Sequence, residues 1–288
     1  MIVESAEGSA TAFAPAKINL TLHVTGQRAD GYHLLDSLVV FADTGDVVHV
    51  APARQTSLTV TGPFSRQVPS DTSNLVLKAA DWLKAPPAAI TLEKHLPAAS
   101  GIGGGSSDAA ATVRALSGCF GLTLPLPAAT APLGADVPVC LRARACRMSG
   151  IGDILTEIPD LPPLHFVLAN PGVPVSTSAV FANLASKKNR PMPARLPDWK
   201  GVDDFTAWLA CQTNDLELPA RLIAPAVGVA LARLGQTEGC LLARMTGSGA
   251  TCFGLYATRT EADDAARALQ TVHPDWWITA ASDWRRTD

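Results

Sequence analysis

Alternating apolar and polar side chains in the N-terminal part of the chain predict β-strands. The alternation runs through residues 17–24 and returns in residues 34–41 and 46–50, after a polar turn at 26–31. Strands separated by such short turns are typical of a mixed or antiparallel sheet. We therefore expect the chain to begin with a sheet of that kind.

A helix with clear end signals follows this sheet. Residues 71–74 supply capping side chains for a helix over residues 75–84, and Pro86 and Pro87 end it. Residues 89–94 are predicted as a further strand, which leads into a glycine-rich loop. The alanine-rich run behind that loop is predicted as a helix, so the loop lies between a strand and a helix.

The pattern beyond Ile158 predicts a second structural half. Residues 164–169 are predicted as a strand, and residues 176–178 provide a capping site for a helix. Residues 187–200 are polar and rich in proline, which is typical of a mobile connection.

Near the C-terminus the pattern predicts a helix, a turn, a strand and a second helix. The first helix carries apolar side chains at Leu222, Val227, Val229, Leu231 and Leu234. The turn is residues 247–249, the strand is residues 251–256 and the last helix is residues 261–269.

The composition is that of a globular chain with a small-molecule ligand. The 288 residues are 47% hydrophobic, which is enough to build a sizeable core, and the net charge is −3. No run of lysine and arginine is dense enough to follow a nucleic-acid backbone. We expect no nucleic-acid partner.

The cysteines and the N-terminal residues favour a cytoplasmic protein. The cysteines form no C-x-x-C pair, so we expect buried thiols in a reducing compartment and no zinc site. They are Cys119, Cys140, Cys146, Cys211, Cys240 and Cys252. Residues 1–8 carry acids where a secretory leader needs bases, and no apolar run approaches the ~18 residues of a membrane span. No membrane partner is expected.

The glycine-rich loop, residues 97–107, carries the most chemical information. Four glycines and three serines lie there just before the predicted helix, so backbone N–H groups can converge on a phosphate at the helix N-terminus. The hydroxyls of Ser106 and Ser107 are candidates for phosphate oxygens or for a Mg²⁺ ion. The loop predicts a bound nucleotide.

Other glycine-rich loops fit these residues less well. The Lys-Ser/Thr ending of a Walker A loop is missing, and Ser106 stands where a dinucleotide fold would have the last glycine counted from Gly103. A merely flexible turn is the remaining alternative. The serines and the helix start beside the glycines argue against it.

Three segments together resemble the GHMP kinases, the superfamily named for galactokinase, homoserine kinase, mevalonate kinase and phosphomevalonate kinase. Residues 97–110 resemble its phosphate-binding motif, residues 14–20 its first motif and residues 245–250 its third. The three occur in the order in which the superfamily has them.

Further segments resemble one branch of this superfamily, which phosphorylates an alcohol linked to cytidine diphosphate. They are residues 25–33, 133–138, 150–153, 170–172, 176–178 and 214–217. The resemblance implies a two-domain α+β fold with the active site in the interdomain cleft. Residues 1–157 would form the ATP-binding and catalytic half, like domain 2 of ribosomal protein S5, and residues 158–288 a ferredoxin-like half.

The resemblance also implies the ligands and the reaction. ATP would be the phosphoryl donor, with Mg²⁺, and a cytidine diphosphate-linked methylerythritol would be the acceptor through its 2-hydroxyl. The assembly is expected to be a monomer or a homodimer. Another small-alcohol kinase of the superfamily and a non-catalytic nucleotide-binding protein of the same fold are the alternatives, and a dinucleotide-binding dehydrogenase is disfavoured.

Two residues receive catalytic roles from the resemblance. An alcohol is a poor nucleophile until a group accepts its proton, and Asp136 is the expected acceptor. Lys17 would stand beside it, keep it ionised and offset charge during the transfer. Without the resemblance, Lys17 is equally compatible with a surface salt bridge and Asp136 with a turn.

The binding roles are also implied by the resemblance. Tyr32 and His33 would meet the cytosine ring, and Asn19 would hold a substrate hydroxyl or orient Asp136. The expected ATP-binding residues are Pro97, Ala98, Ala99, Ser100, Gly101, Ile102, Gly103, Gly104, Gly105, Ser106 and Ser107. In the third motif, Gly247, Ser248 and Gly249 would support the site wall near the phosphates.

The chain departs from the superfamily pattern at three places. Ala99 stands where glycine is usual, which matters if the backbone there needs a positive φ angle. Pro125, Pro127 and Pro132 lie where the superfamily generally has a helix, so we expect that helix to be short or irregular. Asp153 stands where glutamate is common.

Overall fold

The computed structural model describes residues 2–5 and 8–285. The first half contains a sheet of eight strands: β1 (Ile2–Ser5), β2 (Ser9–Asn19), β3 (His23–Gln27), β4 (His33–Pro52), β5 (Ser57–Thr61), β6 (Ala88–Glu93), β7 (Cys146–Gly150) and β8 (Ile154–Thr156). The main order is β1-β2-β4-β6-β5; β3 and β7 also pair with β4, and β8 pairs with β7. The β5–β6 pair is parallel and the other pairs are antiparallel, so the sheet is mixed as predicted.

Three helices belong to this half: α1 (Leu75–Leu83), α2 (Gly104–Phe120) and α3 (Val137–Arg142). α1 begins where predicted, because the side chain of Asn74 accepts a hydrogen bond from the backbone N–H of Val76. α2 packs on α1 and against β2 and β4. Small side chains such as Ala111 and Ala115 allow the helix to lie close to Val48 on the sheet.

The second half has a four-stranded antiparallel sheet and five helices. They are β9 (His165–Asn170), α4 (Thr177–Ala182), α5 (Val202–Ala210), α6 (Glu217–Ile223), α7 (Pro225–Gly235), β10 (Leu242–Met245), β11 (Cys252–Tyr256), α8 (Arg259–Val272) and β12 (Trp277–Ser282). The strand order β10-β11-β9-β12 is that of a ferredoxin-like βαββαβ unit. The α+β class and the ferredoxin-like half are confirmed.

The two halves share a hydrophobic core. Phe166 and Phe253, from the second sheet, belong to the same buried cluster as Ile18 and Leu38 from the first. The rings of Phe166 and Phe253 meet edge to face, with centroids 6.1 Å apart. Because this apolar contact holds the sheets together, loops from both halves meet at one end of it.

The predicted strand over residues 17–24 is two strands. β2 ends at Asn19, and β3 begins at His23. Between them the backbone of Leu22 bonds to the second half, where its N–H donates to the carbonyl of Thr213 and its carbonyl accepts from the N–H of Asp215. These long-range bonds draw the chain away from the first sheet, and the local alternation does not show them.

Two predicted strands, residues 34–41 and 46–50, are one long strand, β4. A register shift opposite Pro15 and Lys17 takes up the intervening residues as a bulge. A Cβ at Gly45 would overlap the carbonyl of Ala14, so glycine fits this close approach. The bulge replaces the expected break.

The single helix predicted over residues 222–234 is also divided. α6 ends at Ile223 and α7 starts at Pro225, because proline lacks the N–H that would continue α6. Val227 and Leu234 are buried as expected, but Leu222 is 73% exposed. Apolar spacing across the proline was therefore a misleading signal.

The proline-rich segments differ in order. Residues Pro127–Leu133 form a 3₁₀ turn before Asp136, which confirms that the expected helix is irregular. Residues 183–201 contain no helix or strand, as predicted, but they are packed. Met192 is buried, and Arg147 donates to the carbonyl of Pro193 at 2.9 Å. The mobility expected of this connection stays a prediction.

The cysteines are only partly as expected. Cys140, Cys146 and Cys252 are buried, but Cys211, directly after α5, is exposed. Burial raises the pKa of the Cys140 thiol to about 12 and that of Cys146 to about 11, so both thiols are protonated at neutral pH. Within residues 8–285 no helix is long and apolar enough to span a bilayer. The acidic side chains within residues 1–8, which argued against a secretory leader, are not among those that the structure describes.

A buried group of three ionisable side chains lies beneath the start of α2. The ammonium of Lys94, at the end of β6, is 2.5 Å from Oδ2 of Asp46 and 2.8 Å from Oδ2 of Asp108. The second oxygen of Asp46 accepts from the N–H groups of His95 at 2.6 Å and Leu96 at 2.9 Å. The group therefore ties β4, β6 and α2 to the first residues that lead into the glycine loop.

The pKa of Asp108 is raised, to about 8, chiefly by burial, with the charge of Asp46 adding to it against the attraction of Lys94. The folded chain then holds a proton on Asp108 that the unfolded chain has already released above pH ~4. Since the unfolded state binds fewer protons in this range, the free energy of unfolding falls as the pH rises towards 8, by at most about 1.4 kcal/mol per pH unit.

Asp108→Asn is expected to remove this part of the pH dependence, because an amide resembles a protonated carboxyl and does not titrate. Urea unfolding of the wild type and the variant, followed at pH values between 5 and 9, measures the difference. We expect the variant to gain stability relative to the wild type as the pH rises. Parallel pH curves for the two proteins would contradict a protonated Asp108.

Candidate active site

An open cleft of about 970 Å³ lies where loops of the two halves meet. The first half contributes side chains from β2, from the glycine loop and from the residues before α3. The second half contributes α4 and the turn between β10 and β11. Most of the residues predicted to form the site line this one cleft.

Lys17 and Asp136 are in direct contact at the cleft wall. The Lys17 side chain is 5% exposed, and its Nζ lies 2.7 Å from Oδ2 of Asp136, which is 37% exposed. Lys17 stands at the register shift of β2, and Asp136 is the residue directly before α3. A buried cation thus holds a carboxylate that remains open to the cleft, an arrangement suited to accepting a proton from a bound alcohol.

The glycine loop packs closely against Lys17. The backbone N–H of Lys17 donates to the carbonyl of Ile102 at 2.9 Å. Gly103 precedes α2 with a φ angle of 66°, and a Cβ there would lie 3.2 Å from Cβ of Lys17. Glycine at this position lets the first turn of α2 approach the Lys17–Asp136 pair.

The N-terminus of α2 faces the cleft beside this pair. α2 is 17 residues long, and the amides of its first turn have no carbonyl partner within the helix. Gly104, Gly105 and Ser106 line the cleft there. Free amides and the positive end of the helix dipole form a cradle for an anion.

The third motif supports the glycine loop from the second half. The N–H of Thr251 donates to the carbonyl of Ser100 at 3.1 Å. A Cβ on Gly101 would lie 2.6 Å from the carbonyl oxygen of Gly249, and a Cβ on Gly247 would overlap the carbonyl of Gly101. Backbone packs on backbone here, which explains why both motifs are rich in glycine.

The expected ATP-binding residues do not all reach the cleft. Those that line it are Ala99, Ser100, Gly101, Gly103, Gly104, Gly105 and Ser106. Ile102 is fully buried, and the Ser107 hydroxyl is turned inward, where it donates to the carbonyl of Pro15 at 2.7 Å. Pro97 and Ala98 lie at the loop's entrance. Ser106 therefore carries the hydroxyl that faces the cleft from the first turn of α2.

Ala99 has the backbone conformation for which glycine is best suited. Its φ angle is +50°, in the left-handed region. An L-residue with a Cβ pays roughly 1–2 kcal/mol there. Ala99, which stands where the superfamily usually has glycine, is thus a strained position at the edge of the cleft.

Ala99→Gly is expected to raise the free energy of unfolding by about 0.5–1 kcal/mol, since relief of this strain exceeds the added freedom of the unfolded chain. Ala98→Gly is the matched control, because Ala98 is not among the residues with positive φ. It should lower stability by about 0.5–1 kcal/mol. Urea unfolding at neutral pH measures both, and equal losses in the two variants would contradict strain at Ala99.

An aromatic group lies in the same cleft. The His33 ring stacks on Phe181 of α4 with centroids 4.6 Å apart and an angle of 23° between the planes. Tyr32 is 58% exposed beside them. Burial and, to a smaller extent, the charge of Lys187 lower the pKa of His33, so the ring is neutral at pH 7. Its Nε2 is buried and has no hydrogen-bond partner within the described residues, so it is available to a ligand.

Asn19 also lines the cleft and is held by its neighbours. Its backbone N–H donates to Oγ1 of Thr246 at 2.8 Å, and its side-chain N–H donates to Oγ of Ser37 at 2.7 Å. Its amide oxygen is buried without a partner in the described structure. This oxygen can accept from a substrate hydroxyl, whereas the amide nitrogen is directed to Ser37 and not to Asp136.

Three residues that line the cleft were not predicted from the sequence: Phe181, Lys187 and Gln27. Phe181 lies on α4, and α4 itself was expected because Ser176 is a capping residue; the Ser176 side chain accepts from the N–H of Ala179. Nothing in the local pattern showed that the helix would carry a ring to His33. Lys187 and Gln27 meet only through the tertiary fold.

Comparisons with known proteins agree with this geometry. A family model of the GHMP kinases N terminal domain matches residues 74–155, and one named GHMP kinases C terminal matches residues 194–275. A curated protein of Cereibacter sphaeroides named 4-diphosphocytidyl-2-C-methyl-D-erythritol kinase is 59% identical over 271 residues, covering 94% of this chain and 98% of its own. The chain belongs to the GHMP kinases.

Two more relatives of this GHMP kinase bear the same kind of name. A curated 4-diphosphocytidyl-2-C-methyl-D-erythritol kinase of Dinoroseobacter shibae is 59% identical over 266 residues and covers 92% of each chain. The crystal structure of a 4-(cytidine 5'-diphospho)-2C-methyl-D-erythritol kinase matches with a TM-score of 0.76 at 30% identity, covering 96% of this chain and all of that one. The kinase resemblance stated from the sequence is confirmed.

Membership fixes the class of chemistry. A GHMP kinase is an ATP-dependent phosphotransferase, and the expectation of ATP as a ligand is confirmed at that level. The N-terminal match contains the glycine loop and Asp136, and the C-terminal match contains residues 247–249. Lys17 and His33 lie outside both matches, and the roles of the site residues stay predictions. The domain division after residue 157 stays a prediction.

Proposed function

We propose that this GHMP kinase transfers the γ-phosphoryl group of ATP to the 2-hydroxyl of 4-diphosphocytidyl-2-C-methyl-D-erythritol, in the non-mevalonate route to isoprenoid precursors. The observation that carries the proposal is a single cleft with two unlike ends. One end has the glycine cradle and the Lys17–Asp136 pair, and the other has the aromatic group of Tyr32, His33 and Phe181.

Asp136 is the proposed proton acceptor. As the substrate oxygen forms its bond to the γ-phosphorus, the bond from that phosphorus to the bridging oxygen of ADP breaks, and the hydroxyl proton passes to the Asp136 carboxylate. Lys17 keeps the carboxylate in place and offsets negative charge at the transferring group. The α2 N-terminus binds the phosphates through its free amides.

Mg²⁺ is part of the proposal as an ion bound mainly through the nucleotide phosphates, where it would neutralise charge. The Ser106 hydroxyl on this side of the cleft is an oxygen ligand of the kind that Mg²⁺ prefers. Within the described residues no group of three or more His, Cys, Asp or Glu side chains is arranged to hold a metal. The protein would therefore share the ion's coordination with the nucleotide and water.

The aromatic group is the proposed pyrimidine site. Because Phe181 already covers one face of His33, the neutral imidazole would bond through Nε2 to the edge of the base, while Tyr32 and Phe181 offer rings on which it can stack. The amide oxygen of Asn19 would accept from a hydroxyl of the alcohol nearer to Asp136.

An assay of ADP release tests the proposal. Purified protein is incubated with ATP, Mg²⁺ and one of three acceptors: 4-diphosphocytidyl-2-C-methyl-D-erythritol, mevalonate or homoserine. We expect turnover with the cytidyl substrate. Turnover with mevalonate or homoserine in its place would assign the chain to another branch of the GHMP kinases. If none of the three compounds increases ADP release, the proposed substrate is wrong.

A further inference from the structure

The cationic side chains of the cleft lie at two different places. Of the described residues that line it, Lys17 and Lys187 are the cations. Lys17 is paired with Asp136. Lys187 bonds through Nζ to the neutral amide oxygen of Gln27 at 3.1 Å, and within the described part of the chain it meets no carboxylate at ion-pair distance. Asp30, a carboxylate that also lines the cleft, is instead paired with Arg28 at 2.7 Å.

The backbone two residues after Lys187 is held against the first half. The N–H of Asn189 donates to the carbonyl of Val24 at 2.9 Å, and its side chain donates to Oδ2 of Asp215 at 2.8 Å. Gln27 is fixed as well, because its amide N–H donates to the carbonyl of Gly31 at 2.9 Å. The Lys187 side chain is exposed, but its root and its bonding partner are both anchored at the cleft.

Lys187 lies on the aromatic side of the cleft. Its charge acts on the His33 imidazole, and Gln27 connects it to the turn that carries Tyr32. Lys17 and the glycine cradle serve the reacting end. A base held by the aromatic group would bring the phosphates linked to it into the same part of the cleft, which Lys187 also lines.

We propose that Lys187 binds the diphosphate of a nucleoside diphosphate-linked acceptor and so selects acceptors that carry this charge. The inference rests on the proposed function, since it assumes that a pyrimidine occupies the Tyr32–His33–Phe181 group. An ammonium close to phosphate oxygens forms charge-assisted hydrogen bonds, and Gln27 would keep the ammonium oriented before the ligand arrives. Lys187 is a binding residue in this scheme and takes no part in the proton transfer.

Lys187→Met tests the assignment, with Lys188→Met as the matched control because Lys188 is the exposed neighbour outside the cleft lining. Affinities for CDP and cytidine are measured by calorimetry with a non-hydrolysable ATP analogue at saturation, so that the probes report on the acceptor side. We expect Lys187→Met to weaken CDP binding about 5- to 30-fold and to leave cytidine binding unchanged. Lys188→Met should alter neither.

Steady-state kinetics supply the second measurement. In Lys187→Met the KM for the cytidyl substrate should rise by a similar factor, while kcat and the KM for ATP stay as in the wild type. Lys187→Arg, which keeps the charge, should recover most of the loss. Equal behaviour of Lys187→Met and Lys188→Met in an active enzyme would overturn the inference alone. A wild type that ignores the cytidyl substrate and phosphorylates another alcohol would instead overturn the proposed function.

Discussion

Asp136→Asn is expected to lower kcat by about 10²- to 10⁴-fold, the range that a positioned general base contributes. The amide has nearly the shape of the carboxylate but cannot accept the proton of the attacking alcohol. Because Asp136 lies beside the nucleotide cradle and is not part of it, the affinity for ATP should change little. Single-turnover measurements with saturating ATP and acceptor isolate the chemical step.

Two controls make this result specific. Asp160→Asn changes an exposed carboxylate outside the cleft lining and should retain wild-type kcat. The substitution removes the counter-charge of the buried Lys17 ammonium. Urea unfolding must therefore show that Asp136→Asn is folded under the assay conditions. A folded variant with wild-type kcat would remove Asp136 from the mechanism.

Lys94→Met is expected to lower the free energy of unfolding by about 3–5 kcal/mol, the usual cost of removing one member of a buried ionic group. The substitution leaves the carboxyls of Asp46 and Asp108 facing each other without the cation that joins them. Asp46 also holds the N–H groups of His95 and Leu96, so the entrance of the glycine loop should loosen as well. Urea unfolding followed by tryptophan fluorescence measures the loss.

Lys78→Met on the outer face of α1 is the matched control, and it should change stability by less than about 0.5 kcal/mol. The loss in Lys94→Met should become smaller at pH 5 than at pH 8, because protonation relieves the repulsion between the two carboxyls. A loss below about 1 kcal/mol at pH 8 would show that this buried group contributes little to the fold.

Several local elements were predictable because their signals are short-range. Asn74 and Ser176 cap helices where their side chains can reach the nearby backbone N–H groups. The order of strand, glycine loop and helix at residues 88–120 follows from composition and periodicity along one stretch of chain. The prolines before Asp136 excluded a regular helix, because proline lacks the backbone N–H that a helix needs.

The errors arose where distant parts of the chain compete for the backbone. Leu22 leaves its sheet to bond with Thr213 and Asp215, and neither partner can be inferred from residues 17–24. The strand β4 continues through residues 42–45 because these residues form a bulge opposite β2. Phe181 and Lys187 are ordinary residues of a short helix and a proline-rich connection until the fold carries them to His33 and Gln27.

The sequence by itself determined that this chain is a GHMP kinase and which residue types could do its chemistry, because motifs of adjacent residues record the local backbone demands of a phosphate cradle. Only the tertiary structure decided that Asp136 meets Lys17 at 2.7 Å, that Ala99 takes a φ angle of +50°, and that Ser107 turns away from the cleft. Side-chain direction, burial and strain depend on contacts between segments far apart in the chain, and a linear pattern does not specify those contacts.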